Sequence, residues 1–225
     1  VDVRLIQTSD AVRYKPLLDI TSRACSRLCE IQGLCYSQFV GLKLGTRPWH
    51  AIFNRIQLLA DIAATEYTGW AIYLDADAYP FDLTFDLKSY LSRNQHYALI
   101  GTQCQADQRL PNSGILLINF ADLRSREIVF AWQRFLNVIY PGGALPPSSE
   151  WPEDVHNDQS MLHCVLEQRG DVEQAVRFES PRLIGDMDAI FLRQVLRRFG
   201  DFDWLREEAT TGVAVALMMA EAWKK

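Results

Sequence analysis

Tyr73-Leu74-Asp75-Ala76-Asp77-Ala78-Tyr79-Pro80 is the stretch from which this 225-residue chain is best read. Trp70-Ala71-Ile72 precedes it, so an unbroken apolar run reaches Leu74, the pattern of a strand buried on both faces of a parallel sheet. The run stops at two aspartates spaced i, i+2, which in extended backbone project to the same side. Two anions at the carboxyl end of a strand repel each other unless a cation sits between them. A hard divalent ion such as Mn²⁺ or Mg²⁺, itself bound to phosphate oxygens, satisfies both. The carboxyl edge of an open α/β sheet is also where ligands settle. The plainer reading makes Asp75 and Asp77 turn residues ahead of Pro80. The buried strand directly before them favours a metal-diphosphate site.

Working outward, Pro48 opens a helix whose Ile52, Ile56, Leu59 and Ala63 fall at i, i+4, i+7 and i+11, one apolar stripe that ends at Thr68-Gly69. Upstream, Val3–Gln7 reads as a first strand, a helix with Leu17, Ile20, Ala24 and Leu28 on one face runs to about Gly33, and Leu34–Val40 reads as a second strand. Downstream come a short helix near Leu87–Leu91, a strand at Tyr97–Thr102 and a strand at Ile115–Ile118. A helix carrying Ile128, Trp132, Phe135 and Ile139 follows. The segment from Tyr140 to His156, with four prolines and two glycines, is long enough to serve as a lid or binding loop. The next helix begins near Asp158 and buries Met161, Leu162, Val165 and Leu166. Alternating strands and helices imply a parallel α/β sheet with right-handed crossovers. Beyond Phe178 the pattern reads as helical: Met187, Ile190, Phe191, Val195 and Phe199 form one stripe, with Arg193, Arg197 and Arg198 nearby. A last helix spans about Trp204–Trp223 and is expected to pack on the domain or a partner, a membrane surface being the lesser alternative.

A net charge of −5 argues against general nucleic-acid binding, yet allows one nucleotide held through a metal. The five cysteines lack zinc-type spacing; Cys25 and Cys29, at i, i+4 on a helix, read as small buried side chains, and a reducing, cytoplasmic setting is expected. No stretch reaches the roughly 18 apolar residues of a membrane span, so any membrane association would be peripheral. The chain opens on Val1 and enters a strand at once, which leaves room for its being a piece of a longer, multidomain protein.

Three further clusters carry chemistry. Arg55 lies beside the apolar stripe of the helix leading into the aspartate strand; it needs an anionic partner there, a diphosphate or, more simply, Asp61 or Glu66. Asn112-Ser113-Gly114 introduces an apolar strand and could offer hydroxyl-binding groups, or be an ordinary turn. In Asn157-Asp158-Gln159, Asn157 or Asp158 caps a helix, and the carboxylate and amide projected there also suit a sugar. Trp151 in the Pro-rich loop is either a sugar-stacking face or an anchor. The four histidines show no metal spacing, and neither a Gly-x-Ser-x-Gly elbow nor a phosphate-cradling Gly-rich loop is present.

Taken in order, these pieces resemble retaining glycosyltransferases of the GT-A fold. The resemblance is to the glycogenin and bacterial lipopolysaccharide α-galactosyltransferase group, and to yeast Golgi-type α-galactosyl- and α-mannosyltransferases. It runs from Val3 to Arg169 and rests on Arg55 before Leu74-Asp75-Ala76-Asp77, on Asn112-Ser113-Gly114 through Asn119, and on Asp158-Gln159 opening a helix. It implies a Rossmann-like, mostly parallel central sheet flanked by helices: a nucleotide-sugar-binding catalytic domain over residues 1–180, with a helical C-terminal extension over 181–225. It implies a UDP- or GDP-sugar donor (UDP foremost), a glycan or lipid-linked saccharide acceptor, and a place in polysaccharide biosynthesis. Asp75 and Asp77 would hold Mn²⁺ or Mg²⁺, with Asp75 also reaching the ribose. Arg55, Thr8 and Ser113 would contact the donor, and Asn112, Asp158 and Gln159 would surround the transferred sugar. Those families place a histidine ligand late in the chain, and no histidine follows His163; Asp186 or Asp188, or a residue beyond Lys225, would take its place.

Rival readings are weaker. Phosphatases with an aspartate nucleophile carry Asp-x-Asp on the first strand, not the third, and nucleotidyltransferases need a basic Gly-rich segment that Thr8–Lys15 lacks. A catalytically degenerate domain that binds glycans or acts as a scaffold is the alternative that the missing histidine keeps open.

Overall fold

The protein is described by a computed structural model covering residues 1–103, 110–148, 156–196 and 201–223. Strands β1 (Val3–Ser9), β2 (Cys35–Val40) and β3 (Trp70–Asp75) form one half of a six-stranded sheet, with helices α1 (Lys15–Gln32) and α2 (Asn54–Ala63) between them. After a short strand β4 (Ala78–Pro80) and helix α3 (Leu87–Arg93) come β5 (Leu99–Thr102), β6 (Ile115–Asn119) and α4 (Leu123–Ile139). The chain continues through α5 (Asp158–Glu167), α6 (Val172–Ala175), β7 (Val176–Glu179), β8 (Leu192–Gln194) and α7 (Phe202–Ala222). Strand order is β2-β1-β3-β6-β5-β7, and β4 pairs with β8 in a separate two-stranded ribbon.

The sheet is mostly parallel, as expected, with one exception: β6 runs antiparallel to both β3 and β5. Alternation along the strands sorts the core into two layers. Trp70, Ile72 and Leu74 face the side covered by α1, α3 and α7, while Ala71 and Tyr73 face α2, α4 and α5. All five β6 residues are buried, so its apolar run meets both layers. Gly33, in the left-handed region at φ 59°, ends α1 as a C-cap.

Three expectations are corrected. Asp75 ends β3, and Ala76 and Asp77 form a turn before β4, so the two carboxylates are brought together by a tight reversal and not by extended pleating. The helix opened by Pro48 starts as a 3-10 segment (Pro48–Phe53) and becomes α-helical only at Asn54. The apolar residues Met187, Ile190, Phe191 and Val195 are not a helical stripe: backbone bonds from Ile190 to Arg182 and from Phe191 to Leu183 fold this segment back on itself, and Leu192–Gln194 pairs with β4. Short apolar runs do not separate the two periods, and here pairing with the edge of β4 prevailed. Phe199, Arg197, Arg198, Trp151 and Cys104 lie outside the described residues.

The last helix buries Leu205, Ala209, Val213, Ala216 and Ala220 in the same core layer as Leu17, Ala24 and Leu28 of α1. Its Gly212 packs against β4: a Cβ there would stand 1.8 Å from the Tyr79 hydroxyl, so the ring would have to shift. Cys25 and Cys29 are buried free thiols, as expected. Among the described residues no helix is long and apolar enough to cross a membrane.

Candidate active site

The turn that follows β3 is held from beneath by buried polar side chains. Gln7 of β1 donates to the carbonyls of Asp75 (3.3 Å) and Ala78 (2.8 Å), and Thr21 of α1 donates to that of Ala76 (2.9 Å). The Asp75 N–H donates to Gly114 O, and Val195 N–H donates to Asp77 O. Backbone groups that would otherwise be orphaned in a buried reversal are thus paired on three sides.

Above this turn lies a cleft of about 610 Å³ lined by Thr8, Arg55, Tyr73, Asp75 and Asp77, among others. Both aspartates therefore open onto one cavity at the carboxyl edge of the sheet. Asp75 keeps 26 % of its side-chain surface exposed, whereas the Arg55 side chain keeps only 5 %. Arg55 Nη2 donates to Asp75 Oδ1 at 2.7 Å, Nε lies 3.1 Å from Asp158 Oδ2, and Nη1 donates to the Ser113 carbonyl. Its partners are thus Asp75 and Asp158; Asp61, the simpler partner considered from sequence, pairs instead with Lys43 at 3.0 Å. Tyr73 adds a second donor to Asp75 Oδ1 at 3.1 Å; having spent its proton there, it accepts from Thr8 Oγ1 at 2.8 Å.

The motifs behind the cleft converge on the same guanidinium. Asn157 is the N-cap of α5, accepting from Ser160 N–H, which places Asp158 at the first helical position. The Ser113 hydroxyl donates to Asp158 Oδ2 at 2.8 Å and its N–H donates to Gln159 Oε1 at 3.1 Å. Asp158 is 4 % exposed and faces Arg55 and Ser113 in a buried network, and Trp132 of α4 donates to its carbonyl. Thr8, Arg55, Asp75, Ser113, Asp158 and Gln159 are thus joined in one continuous set of contacts, and Asn112 is joined to Asp77 through a side chain on β8.

Asp77 has a different environment. Among the described residues no cationic side chain pairs with it; its Oδ1 accepts from the Gln194 amide at 3.0 Å. Burial first, and the neighbouring Asp75 charge second, push its carboxyl up to about 7. Burial also raises Asp75, with Arg55 opposing it. Burial alone would lower Arg55, but Asp158 and Asp75 outweigh it and hold the guanidinium firmly charged. This donor set fits a hard cation: two carboxylates share a cavity, and one of them lacks a charged partner.

Asp186 is placed elsewhere. It sits in the turn between β7 and β8, where its N–H donates to Pro181 O, and among the described residues no three His, Cys, Asp or Glu side chains form a metal-holding group. The expected third ligand is therefore not assembled from Asp186. The sequence carried no spacing signal for that turn, because β8 arrives there only by pairing with β4.

Sequence reading also missed Gln194, Ser9 and Asp10. Ser9, buried at the end of β1, lines the cleft with a hydroxyl that has no partner among the described residues. Asp10 accepts from the N–H groups of Val12, Arg13 and Tyr14 and so shapes the chain as it leaves β1. A Ser-Asp pair at a strand's end could have flagged the last two; nothing in sequence connects Gln194 to Asp77.

Neither a protein-family model nor a characterised protein matches this chain by sequence. Solved structures do. A glycosyltransferase involved in glycosylation of the major capsid of the virus PBCV-1 superposes with a TM-score of 0.66 at 12 % identity, covering 93 % of this chain and 99 % of that one. The glycosyltransferase GlyE of Streptococcus pneumoniae gives 0.59 at 14 % identity over 100 % of this chain, which spans 64 % of GlyE. The galactosyltransferase LgtC, solved with donor and acceptor sugar analogues, gives 0.54 at 11 % identity, covering 92 % and 95 %. At such identities the likeness concerns architecture, and the architecture of this chain is the GT-A fold of glycosyltransferases.

Proposed function

We propose that the chain is a metal-assisted glycosyltransferase that moves a hexosyl group from a nucleotide-diphosphate sugar, UDP-linked foremost, to a hydroxyl of a glycan or lipid-linked saccharide, with retention. The observation that carries the reading is the charge arithmetic of the cleft. Arg55 pairs with Asp75 and Asp158, and Asp77 has no cationic partner among the described residues, so full ionisation of the three acids leaves these four groups with two net negative charges, which one divalent cation neutralises. Asp75 and Asp77 would hold Mn²⁺ or Mg²⁺. When bound, such an ion neutralises charge on the diphosphate as the bond to the sugar breaks.

The remaining work falls to the chain. Arg55 orients Asp75 and Asp158 and opposes the effect of burial on the Asp75 carboxyl. Thr8 and Tyr73 fix the face that Asp75 turns to the cleft, and Ser9 offers an unspent hydroxyl to a polar ligand. Asp158 and Gln159, set by Ser113 at the N-terminus of α5, would steady the transferred sugar and its attacking hydroxyl. The fold likeness to glycosyltransferases supports this reading, and the shared cleft of the two acids supports the diphosphate as the recognised group.

A thermal-shift panel of nucleotide diphosphates and nucleotide-sugars, with and without Mn²⁺, tests it. The expected result is a UDP or GDP shift that needs Mn²⁺ and vanishes in Asp77→Ala. Among the described residues no three His, Cys, Asp or Glu side chains form a metal-holding group, which favours one other reading, a glycan-binding domain without catalysis. Shifts with oligosaccharides but none with nucleotide and metal would select that reading.

A further inference from the structure

Gln194 lies where three segments meet: the turn after β3, the Asn112–Gly114 turn before β6, and β8. It is 4 % exposed. Its Nε2 donates to Asp77 Oδ1 at 3.0 Å, and its Oε1 accepts from Asn112 Nδ2 at 3.2 Å. Asn112 Oδ1 accepts in turn from the Gly114 backbone N–H at 2.9 Å. Amide groups can be turned end for end, but a backbone N–H cannot. Gly114 therefore fixes Asn112 Oδ1 as the acceptor, which leaves only the Asn112 NH₂ for Gln194. Gln194 must then spend its carbonyl on Asn112 and present its NH₂ to Asp77. The polarity of the whole relay is set from one backbone atom. Gly114 also makes room for it, since a Cβ there would stand 2.3 Å from Gln194 Nε2.

We propose that Gln194 is the positioning residue of the acid pair: it holds the Asp77 carboxylate toward the cleft and ties that orientation to Asn112. The cation side and the sugar side of the site are thereby set together. The inference rests on the transferase reading above. An amide suits the task because it steadies the anion without cancelling the charge that a cation needs, in contrast to Arg55 at Asp75. Supporting groups of this kind typically govern metal affinity by about 10–100-fold.

The test uses the full chain and Mn²⁺ alone, with affinity read by titration of free Mn²⁺ in electron paramagnetic resonance. Gln194→Met keeps the volume and removes both hydrogen bonds; Gly114→Ala displaces Gln194 without altering it. Both are expected to weaken Mn²⁺ binding at least about tenfold at a temperature where the variants remain folded. A role in packing alone would lower the unfolding midpoint and leave Mn²⁺ affinity unchanged in the folded variants; that result overturns the assignment. If only Gly114→Ala folds, its affinity decides by the same criterion. Unfolding of both variants below the measuring temperature also overturns it, since Gln194 would then be a core residue. Should the wild-type chain bind no Mn²⁺, the transferase reading falls and this role with it; should it bind and the variants bind equally, only the role of Gln194 falls.

Discussion

Asp75 and Asp77 stand two residues apart on one cleft, yet the protein treats them differently. Asp75 has a guanidinium at 2.7 Å and a phenol at 3.1 Å; Asp77 has a neutral amide at 3.0 Å. The first acid is half of a buried ion network shared with Asp158, while the second has its charge left open. A paired acid and an open acid side by side separate two jobs that a symmetrical pair would confuse: one anchors the site to the fold, the other awaits what arrives from solution. The difference can be attacked from either side.

The largest effect is expected from the paired side. Arg55→Met leaves Asp75 and Asp158 buried without their cation, and removing one partner from such a network costs about 3–5 kcal/mol. Denaturant unfolding monitored by circular dichroism measures it. A loss below about 1 kcal/mol would make the network ornamental and erase the contrast.

The open side should answer to pH. Burial and the Asp75 charge raise Asp77 to about 7, above its unfolded value, so its contribution to stability is complete below about pH 4 and is lost as pH rises through about 7. Cation binding needs the ionised form and runs the other way. Mn²⁺ affinity should climb by up to about tenfold per pH unit below 7 and level off above it. Calorimetric titration across that range checks this, and a flat profile would place the two acids on equal terms.

The smallest effect serves as a control. His50 also titrates, below its ordinary value, so the two groups have to be told apart. Its Nδ1 accepts the N–H groups of Thr46 and Arg47, at 2.9 and 3.1 Å, which requires the neutral ring, and burial lowers its pKa. A lowered histidine contributes stability above about 6.5 that is lost as pH falls. His50→Gln should therefore remove an acid limb worth about 1 kcal/mol from the stability profile. The Asp77 limb should remain where it was.

Much of this was legible in the residues themselves. The apolar run Trp70–Leu74 announced a doubly buried strand, because only a sheet covered on both faces tolerates such a run. The α4 stripe with Ile128 and Trp132 could be placed from its spacing alone, and the bond from Trp132 to Asp158 O is what that placement delivers. What could not be read depended on contacts between distant segments. Arg55 sits beside its stripe for the sake of two aspartates, one twenty residues away and one beyond α4. Ile190 to Gln194 is apolar enough for a helix or a strand, and the free edge of β4 settles the matter only once the chain has folded. The exchange of Asp186 for Gln194 beside Asp77 follows from that single misreading.

Gly212 carries a practical lesson. The closing helix rests its barest position on the Tyr79 hydroxyl, and Tyr79 is two residues along the chain from the open acid. A larger residue at Gly212 would press, through the Tyr79 ring, on the chain beside the acids, although its helix belongs to the core layer of α1.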